Sequence, residues 1–139
     1  MVAYLDSSVA LRHILLGEEI IRHVLACERV ISSELLEIEC KRVFHRYRLN
    51  GELDDDGFVT ALSRLKDVLG GVSLLALSDT VKRKAAGPFP VVVKTLDALH
   101  LASAQVFSER FPEEKVLIFS HDTGMNRCAL ALGLTAPLS

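Results

Sequence analysis

Short apolar runs that close on small polar or acidic residues alternate along this chain with longer stretches of helical period. Val2-Ala3-Tyr4-Leu5, closed by Asp6-Ser7-Ser8, reads as a buried strand running straight into a helix over about Val9 to Leu16, which Gly17 ends. Glu18 to Arg29 reads as a second helix, with Ile20, Ile21, Val24 and Leu25 at helical spacing. Val30-Ile31-Ser32 is a brief second strand, and Ser33 caps an amphipathic helix that starts at Glu34. Asn50-Gly51 is a turn, Asp54-Asp55-Asp56 opens a helix over Gly57 to Leu69, and Gly70-Gly71 stops it. Val72 to Leu77 reads as a third strand, and Ser78-Asp79 caps a short helix. Val91-Val92-Val93 has strand composition, but it is short and follows Pro90, so it reads as loop. Lys115 to Phe119 is the fourth strand, Thr123 to Leu132 the last helix with Gly133 at its end, and Leu134 to Ala136 a short edge strand. Strands separated by helices imply an α/β fold with a mostly parallel sheet and helices on both faces.

One helix, from a Thr95 cap to about Arg110, is apolar on nearly every side and belongs in a core. It nevertheless carries Asp97 in its first turn, where an acid commonly caps the helix or favours its positive dipole end. Asp6, at the end of the first strand, has the same structural explanation as a cap for the next helix. In the Glu34 helix, Glu39 shares a side with Leu36, Cys40 and Val43, whereas Glu37 pairs with Lys41 on another. An acid on an apolar side is costly unless something neutralises it, so Glu39 is a better site candidate than Glu34 or Glu37. Asp122 follows the fourth strand as Asp6 follows the first. In a parallel sheet those positions lie at the same edge, the one where open α/β sheets bind ligands.

Length and charge narrow the chemistry. The 139 residues suit a single domain, 1–139, with a sizeable core. At a net charge of −2, nucleic acid cannot be held by a broad basic face and must be met by local clusters or through bound cations. No apolar run reaches the about eighteen residues of a membrane span, and Met1 to Asp6 does not read as a secretory signal. Cys27, Cys40 and Cys128 are far apart and form no zinc spacing with His, so they are expected as reduced thiols in the cytoplasm. No G-x-G-x-x-G follows the first strand, and no H-E-x-x-H is present, which disfavours dinucleotide binding and zinc hydrolysis.

Four carboxylates at one edge would repel, each pair at ~4 Å by roughly 4 kcal/mol at an effective dielectric of ~20. A fold tolerates that only with protonation or a cation, and all-oxygen ligation selects Mg²⁺ or Mn²⁺ over zinc. The chemistry implied is phosphodiester hydrolysis, with one or two ions. A phosphatase of the D-x-D class would need an acid where Ser8 stands, and a two-component receiver would need adjacent acids where Asp6-Ser7 stands. Asp54 to Asp56 read as a helix start rather than a metal site. Lys82-Arg83-Lys84 reads as a solvated face, with a phosphate-contact patch as the alternative.

Tyr4-Leu5-Asp6-Ser7-Ser8, Ser33-x-Leu35-x-x-x-Glu39 with Arg42 after it, Thr95-Leu96-Asp97-Ala98-Leu99-His100-Leu101-Ala102-Ser103-Ala104, and Ser120-His121-Asp122 together resemble the PIN domain, most closely the VapC-type toxins of bacterial and archaeal toxin–antitoxin pairs. The resemblance covers nearly the whole chain, and the Asp97 block is its most specific part. It implies a three-layer α/β/α sandwich and a Mg²⁺- or Mn²⁺-dependent endoribonuclease. It also implies a homodimer and a cognate antitoxin that blocks the site. Residue by residue, it carries the acidic roles to Asp6, Glu39, Asp97 and Asp122. It carries a hydroxyl near the metal to Ser7 or Ser8, with Ser120 as a weaker candidate. Arg42 suits a phosphate or antitoxin contact, or an ion pair with the acids. His100, one turn after Asp97, reads as a satisfied core histidine rather than a base, and His121 is given no role. The segment from Glu34 to Leu69 carries more apolar residues than one short sheet needs, including Val43, Phe44, Phe58 and Leu62, and some of them are expected to form an exposed patch for the dimer. The competing readings are a PIN-like protein that only binds a partner and a nuclease acting on DNA.

Overall fold

β1 (Val2–Leu5) is buried at every position, as a strand in the middle of a parallel sheet must be. The computed structural model describes residues 1–139. After β1 come α1 (Ser7–Leu16), α2 (Ile20–Leu25), β2 (Arg29–Ser33), α3 (Leu35–Leu49), α4 (Asp55–Gly70), β3 (Ser73–Leu75), α5 (Asp79–Ala86), α6 (Thr95–Arg110), β4 (Val116–Phe119) and α7 (Thr123–Ala131). The strand order is β3-β2-β1-β4 and every pairing is parallel. The chain therefore winds outward from β1 through β2 to β3, then returns to the other side of β1. The reversal point lies between β1 and β4, and the crevice at their carboxyl ends is where such a sheet offers room for a ligand.

The period of two along β1 divides the interior. Ala3 and Leu5 join Val9, Ala10 and Ile14 of α1 and Leu36, Cys40 and Phe44 of α3 in one core, which α4 completes with Ala61, Leu65 and Val68. Val2 and Tyr4 point the other way, into a second core with Leu101, Ala104 and Phe107 of α6 and Met125, Cys128 and Ala129 of α7. α5 packs against α6. The result is the expected three-layer α/β/α sandwich. No helix is long and apolar enough to cross a membrane.

Several local expectations need correction. Val72 to Leu77 yields only the three residues Ser73–Leu75, an edge strand whose first two residues are exposed and which has little apolar burial to extend it. α2 is likewise shorter than Glu18 to Arg29. Leu134 to Ala136 contributes a single parallel bridge, Leu117 to Thr135, beside β4. Thr95 is the first helical residue of α6, and Lys94 holds the N-cap position with no side-chain cap bond. Of the residues named for the apolar patch, Phe44 is wholly buried, Phe58 and Leu62 pack against the first core, and Val43 is half-buried, whereas Ile38, Leu49 and Val59 of the same segment are exposed. Phe58 and Leu62 lie on α4, which packs on α1 and α3. The three cysteines are free.

Candidate functional site

The loops at the carboxyl ends of β1 and β4 are tied together by hydroxyl groups. Asp6, 4% exposed, accepts from Ser8 Oγ at 2.7 Å and from Ser120 Oγ at 2.8 Å, both on Oδ2. Ser120 in turn accepts the Asp122 amide at 3.0 Å, and Ser8 accepts the His121 amide at 2.9 Å. Asn126 Nδ2 closes the turn by donating to the Ser120 carbonyl at 2.9 Å. Asp6 occupies the N-cap position of α1, yet its carboxylate accepts from no backbone amide of that helix. Asp122 does cap, its Oδ1 accepting the Met125 amide at 2.8 Å.

Glu39 approaches from α3 in the layer on the other side. Its side chain is 16% exposed and both of its oxygens have partners: Oε1 meets His100 Nε2 at 2.5 Å, and Oε2 accepts from Ser7 Oγ at 3.3 Å. His100 is fully buried, and its Nδ1 lies 2.7 Å from the Tyr4 hydroxyl. Burial pushes the imidazole pKa down, but the Glu39 hydrogen bond and the charges of Glu39, Asp6 and Asp97 outweigh it and leave it above its ordinary 6.5. Burial and the charge of Asp6 push the Tyr4 hydroxyl far up.

Asp97, in the first turn of α6, is half-buried and takes no hydrogen bond from any of these groups. Burial first, then the charges of Asp122, Asp6 and Glu39, push its carboxyl from the ordinary 3.8 up to about 6, with His100 opposing them. Burial, Glu39 and Asp6 raise the neighbouring Cys40 thiol to about 12. The fold thus gathers Asp6, Glu39, Asp97 and Asp122 closely enough that each of the other three acids raises Asp97.

In kind, these donors fit Mg²⁺ or Mn²⁺: all are anionic oxygens, and Asp97 carries the mutual repulsion a cation would relieve. In placement they stop short, since no three His, Cys, Asp or Glu side chains converge on one point. Oxygens of Asp6, Glu39 and Asp122 are engaged by the protein's own donors. Arg42 is exposed and pairs with none of the acids. The basic triplet is divided, because Lys84 pairs with Glu109 at 2.9 Å while Lys82 and Arg83 stay exposed. A cavity of about 530 Å³ between α5 and the start of α6 is mostly apolar and contains none of the acids.

Sequence reasoning missed the Tyr4–His100–Glu39 chain. Two signals were available. Tyr4 and Asp6 lie two residues apart and share the period of a strand. A histidine inside an otherwise apolar helix must find partners for both ring nitrogens.

No protein-family model matches the chain, and no curated protein does. The fold itself has a counterpart. A chain of the crystal structure of VapBC2 from Rickettsia felis, bound to a DNA fragment from their promoter, superposes with a TM-score of 0.68. The overlap covers 98% of this chain and 97% of that one, at 10% sequence identity. At that identity the shared property is the fold.

Proposed function

We propose that this chain is a metal-dependent endoribonuclease, the toxin component of a VapBC-type toxin–antitoxin pair. The observation that carries the reading is the gathering of Asp6, Glu39, Asp97 and Asp122 at the point where the sheet order reverses, with Asp97 raised to about 6 by its neighbours. Asp6, Asp97, Asp122 and Glu39 would hold Mg²⁺ or Mn²⁺. Such an ion supplies a water nucleophile at neutral pH and a Lewis acid at phosphorus. The chain's own part is to aim the acids: Ser8 and Ser120 fix Asp6, Ser7 and His100 fix Glu39, and the start of α7 fixes Asp122. No complete nucleophile–base pair competes with this chemistry, because the buried His100 has both nitrogens engaged.

The likeness in fold to a chain of a VapBC2 complex supports an antitoxin as partner, and the acid cluster favours the toxin rather than the antitoxin role. RNA as substrate follows from the resemblance of the four sequence blocks. A second reading, a chain that binds its partner without cutting, is favoured by one observation: no three acids converge.

Purified chain incubated with tRNA, mRNA and single-stranded DNA separates these readings. Cleavage of RNA with Mg²⁺ or Mn²⁺ and silence in EDTA is expected. Equal cleavage in chelator overturns the metal chemistry, preference for DNA overturns the substrate, and no Mn²⁺ binding in calorimetry leaves the partner-binding protein.

A further inference from the structure

A second cavity, of about 310 Å³, is bordered by α6, the start of α5 and the sheet strands β2 and β3, and no acidic residue lines it. The helical period of α6 builds one wall: Val106, Phe107 and Arg110 recur at spacings of three and four and share a side. Phe107 and Val81 of α5 are buried in the lining, while Leu75, Val106 and Phe111 are partly exposed along it. Arg29 reaches the cavity from the sheet. It opens β2, and the period of two puts its side chain on the same face as Ile31, which packs in the second core with α6. Its guanidinium carbon lies 5.4 Å from the centre of the Phe107 ring. That contact uses the face of the guanidinium and leaves its N–H donors free.

The charges around this cavity are not balanced. Arg29 and Arg110 are exposed, and neither takes part in an ion pair. The acid next to each in sequence is engaged elsewhere: Glu28 meets the Met1 amine at 3.3 Å, and Glu109 meets Lys84 at 2.9 Å. Arg12, Arg22 and Arg48, by contrast, each find a carboxylate. So in a chain of net charge −2, two guanidinium groups without a counter-ion border one mostly apolar cavity. A guanidinium offers a planar fork of donors that matches a carboxylate or a phosphate. The volume stands at the lower end of the ~300–1,000 Å³ of small-molecule pockets, which suits a small ligand rather than a macromolecule.

We infer that this cavity binds a small amphiphilic anion, a carboxylate or phosphate monoester on a short apolar chain. Arg29 and Arg110 hold the head group, and Leu75, Val106 and Phe111 cover the chain. The site is separate from the four acids and does not rest on the metal-dependent reading. The alternative is a surface cleft whose arginines are only solvated.

NMR titration of the full chain, read at the methyl groups of Leu75, Val81 and Val106, separates the two. The probes are hexanoate, hexyl phosphate, acetate and hexanol. Hexanoate or hexyl phosphate is expected to move these methyl signals saturably with a millimolar Kd, and the tighter of the two names the head group. Acetate, which lacks the apolar chain, should bind at least about tenfold more weakly. Hexanol, which lacks the charge, should also bind more weakly than hexanoate. Arg29→Gln and Arg110→Gln should each weaken binding of the tighter anion about fivefold. Arg83→Gln, the same loss of charge at an exposed residue that does not border the cavity, should leave it within about twofold. All three positions are exposed, so the variants keep the fold. Three results overturn the inference. Absence of a saturable shift at these methyls leaves an empty cleft. Hexanol binding as tightly as hexanoate leaves an apolar cavity with no preference for an anion. A loss in Arg83→Gln equal to that in Arg29→Gln leaves only a diffuse effect of charge.

Discussion

The β1–α1 and β4–α7 junctions are built alike and used differently. Each leads from a buried strand to an acid at the N-cap position with extended backbone, Asp6 directly after β1 at φ −82°, ψ 151° and Asp122 three residues past the end of β4 at φ −79°, ψ 117°. Asp122 gives one oxygen to its own helix, through the Met125 amide. Asp6 accepts from no backbone amide of its helix, and its Oδ2 takes two hydroxyls, one from Ser8 in the first turn and one reaching over from the other junction. An N-cap position is thus a location and not a role. What an acid does there depends on which donors the fold brings to it, and Ser120, just past the adjacent strand, brings one to Asp6.

The largest expected effect removes charge at either junction while keeping shape. Asp6→Asn and Asp122→Asn should both hold the fold and both lose RNA cleavage by more than the ~10–100-fold that a supporting partner costs. Asp97→Asn should do the same. Cleavage rates with Mn²⁺, read beside circular dichroism, check this; a wild-type rate in any one variant removes that acid from the site.

Truncation should then split the junctions. Asp6→Ala, compared with Asp6→Asn so that the charge change cancels, leaves the hydroxyls of Ser8 and Ser120 without their acceptor and should cost ~2 kcal/mol. Asp122→Ala, compared with Asp122→Asn, loses one cap bond and should cost ~1 kcal/mol, since Asn caps as well as Asp. Urea unfolding without metal measures both, and equal losses would erase the distinction between the junctions.

A smaller effect belongs to pH. The folded chain keeps the Asp97 proton up to about pH 6, whereas the unfolded chain releases it near 3.8. Between those values the folded state binds more protons, so this contribution to stability is complete at the acid end and is lost as pH rises. Screening of a half-exposed carboxyl holds it to ~1 kcal/mol. The raised His100 has the same sign in a higher window: its contribution is complete below the unfolded 6.5 and is lost as pH passes its folded value. Metal-free unfolding between pH 4 and 7 should show the slope, and Asp97→Asn should flatten its lower part.

The smallest effects mark acids that share the helices but not the site. Glu37, paired with Lys41 at 2.8 Å, and Asp55, 86% exposed beside Arg48, sit in water. Glu37→Gln and Asp55→Asn should each change stability by less than ~0.5 kcal/mol and leave cleavage unaltered. A loss of activity in either would enlarge the site beyond the four acids.

Much of this was legible from residues alone because it depends on local pattern. Four apolar runs at the right intervals imply four strands, and a helix apolar all round, like α6, has only a core to occupy. Glu39 stood out from Glu37 because its helical neighbours are Leu36 and Cys40. The errors are where local pattern meets tertiary context. Val72 to Leu77 has the composition of a strand of six, but at the sheet edge only three residues find a partner to pair with. Phe44 and its neighbours looked like surplus apolar surface because nothing in the sequence measures how much area the sheet can cover.

The alternation of strands and helices, the parallel class that follows and the types of side chain at strand ends are therefore written in the chain's local pattern. Periodicity and capping act within a few residues, so they can be read without a fold. Which acids meet which donors follows from the folded arrangement alone. Tyr4 and His100 lie 96 positions apart, Ser120 and Asp6 lie 114 apart, and His100 and Glu39 come from opposite faces of the sheet. Hydrogen bonds over such separations depend on the order β3-β2-β1-β4, which sets β1 beside β4 and brings the junctions after them together.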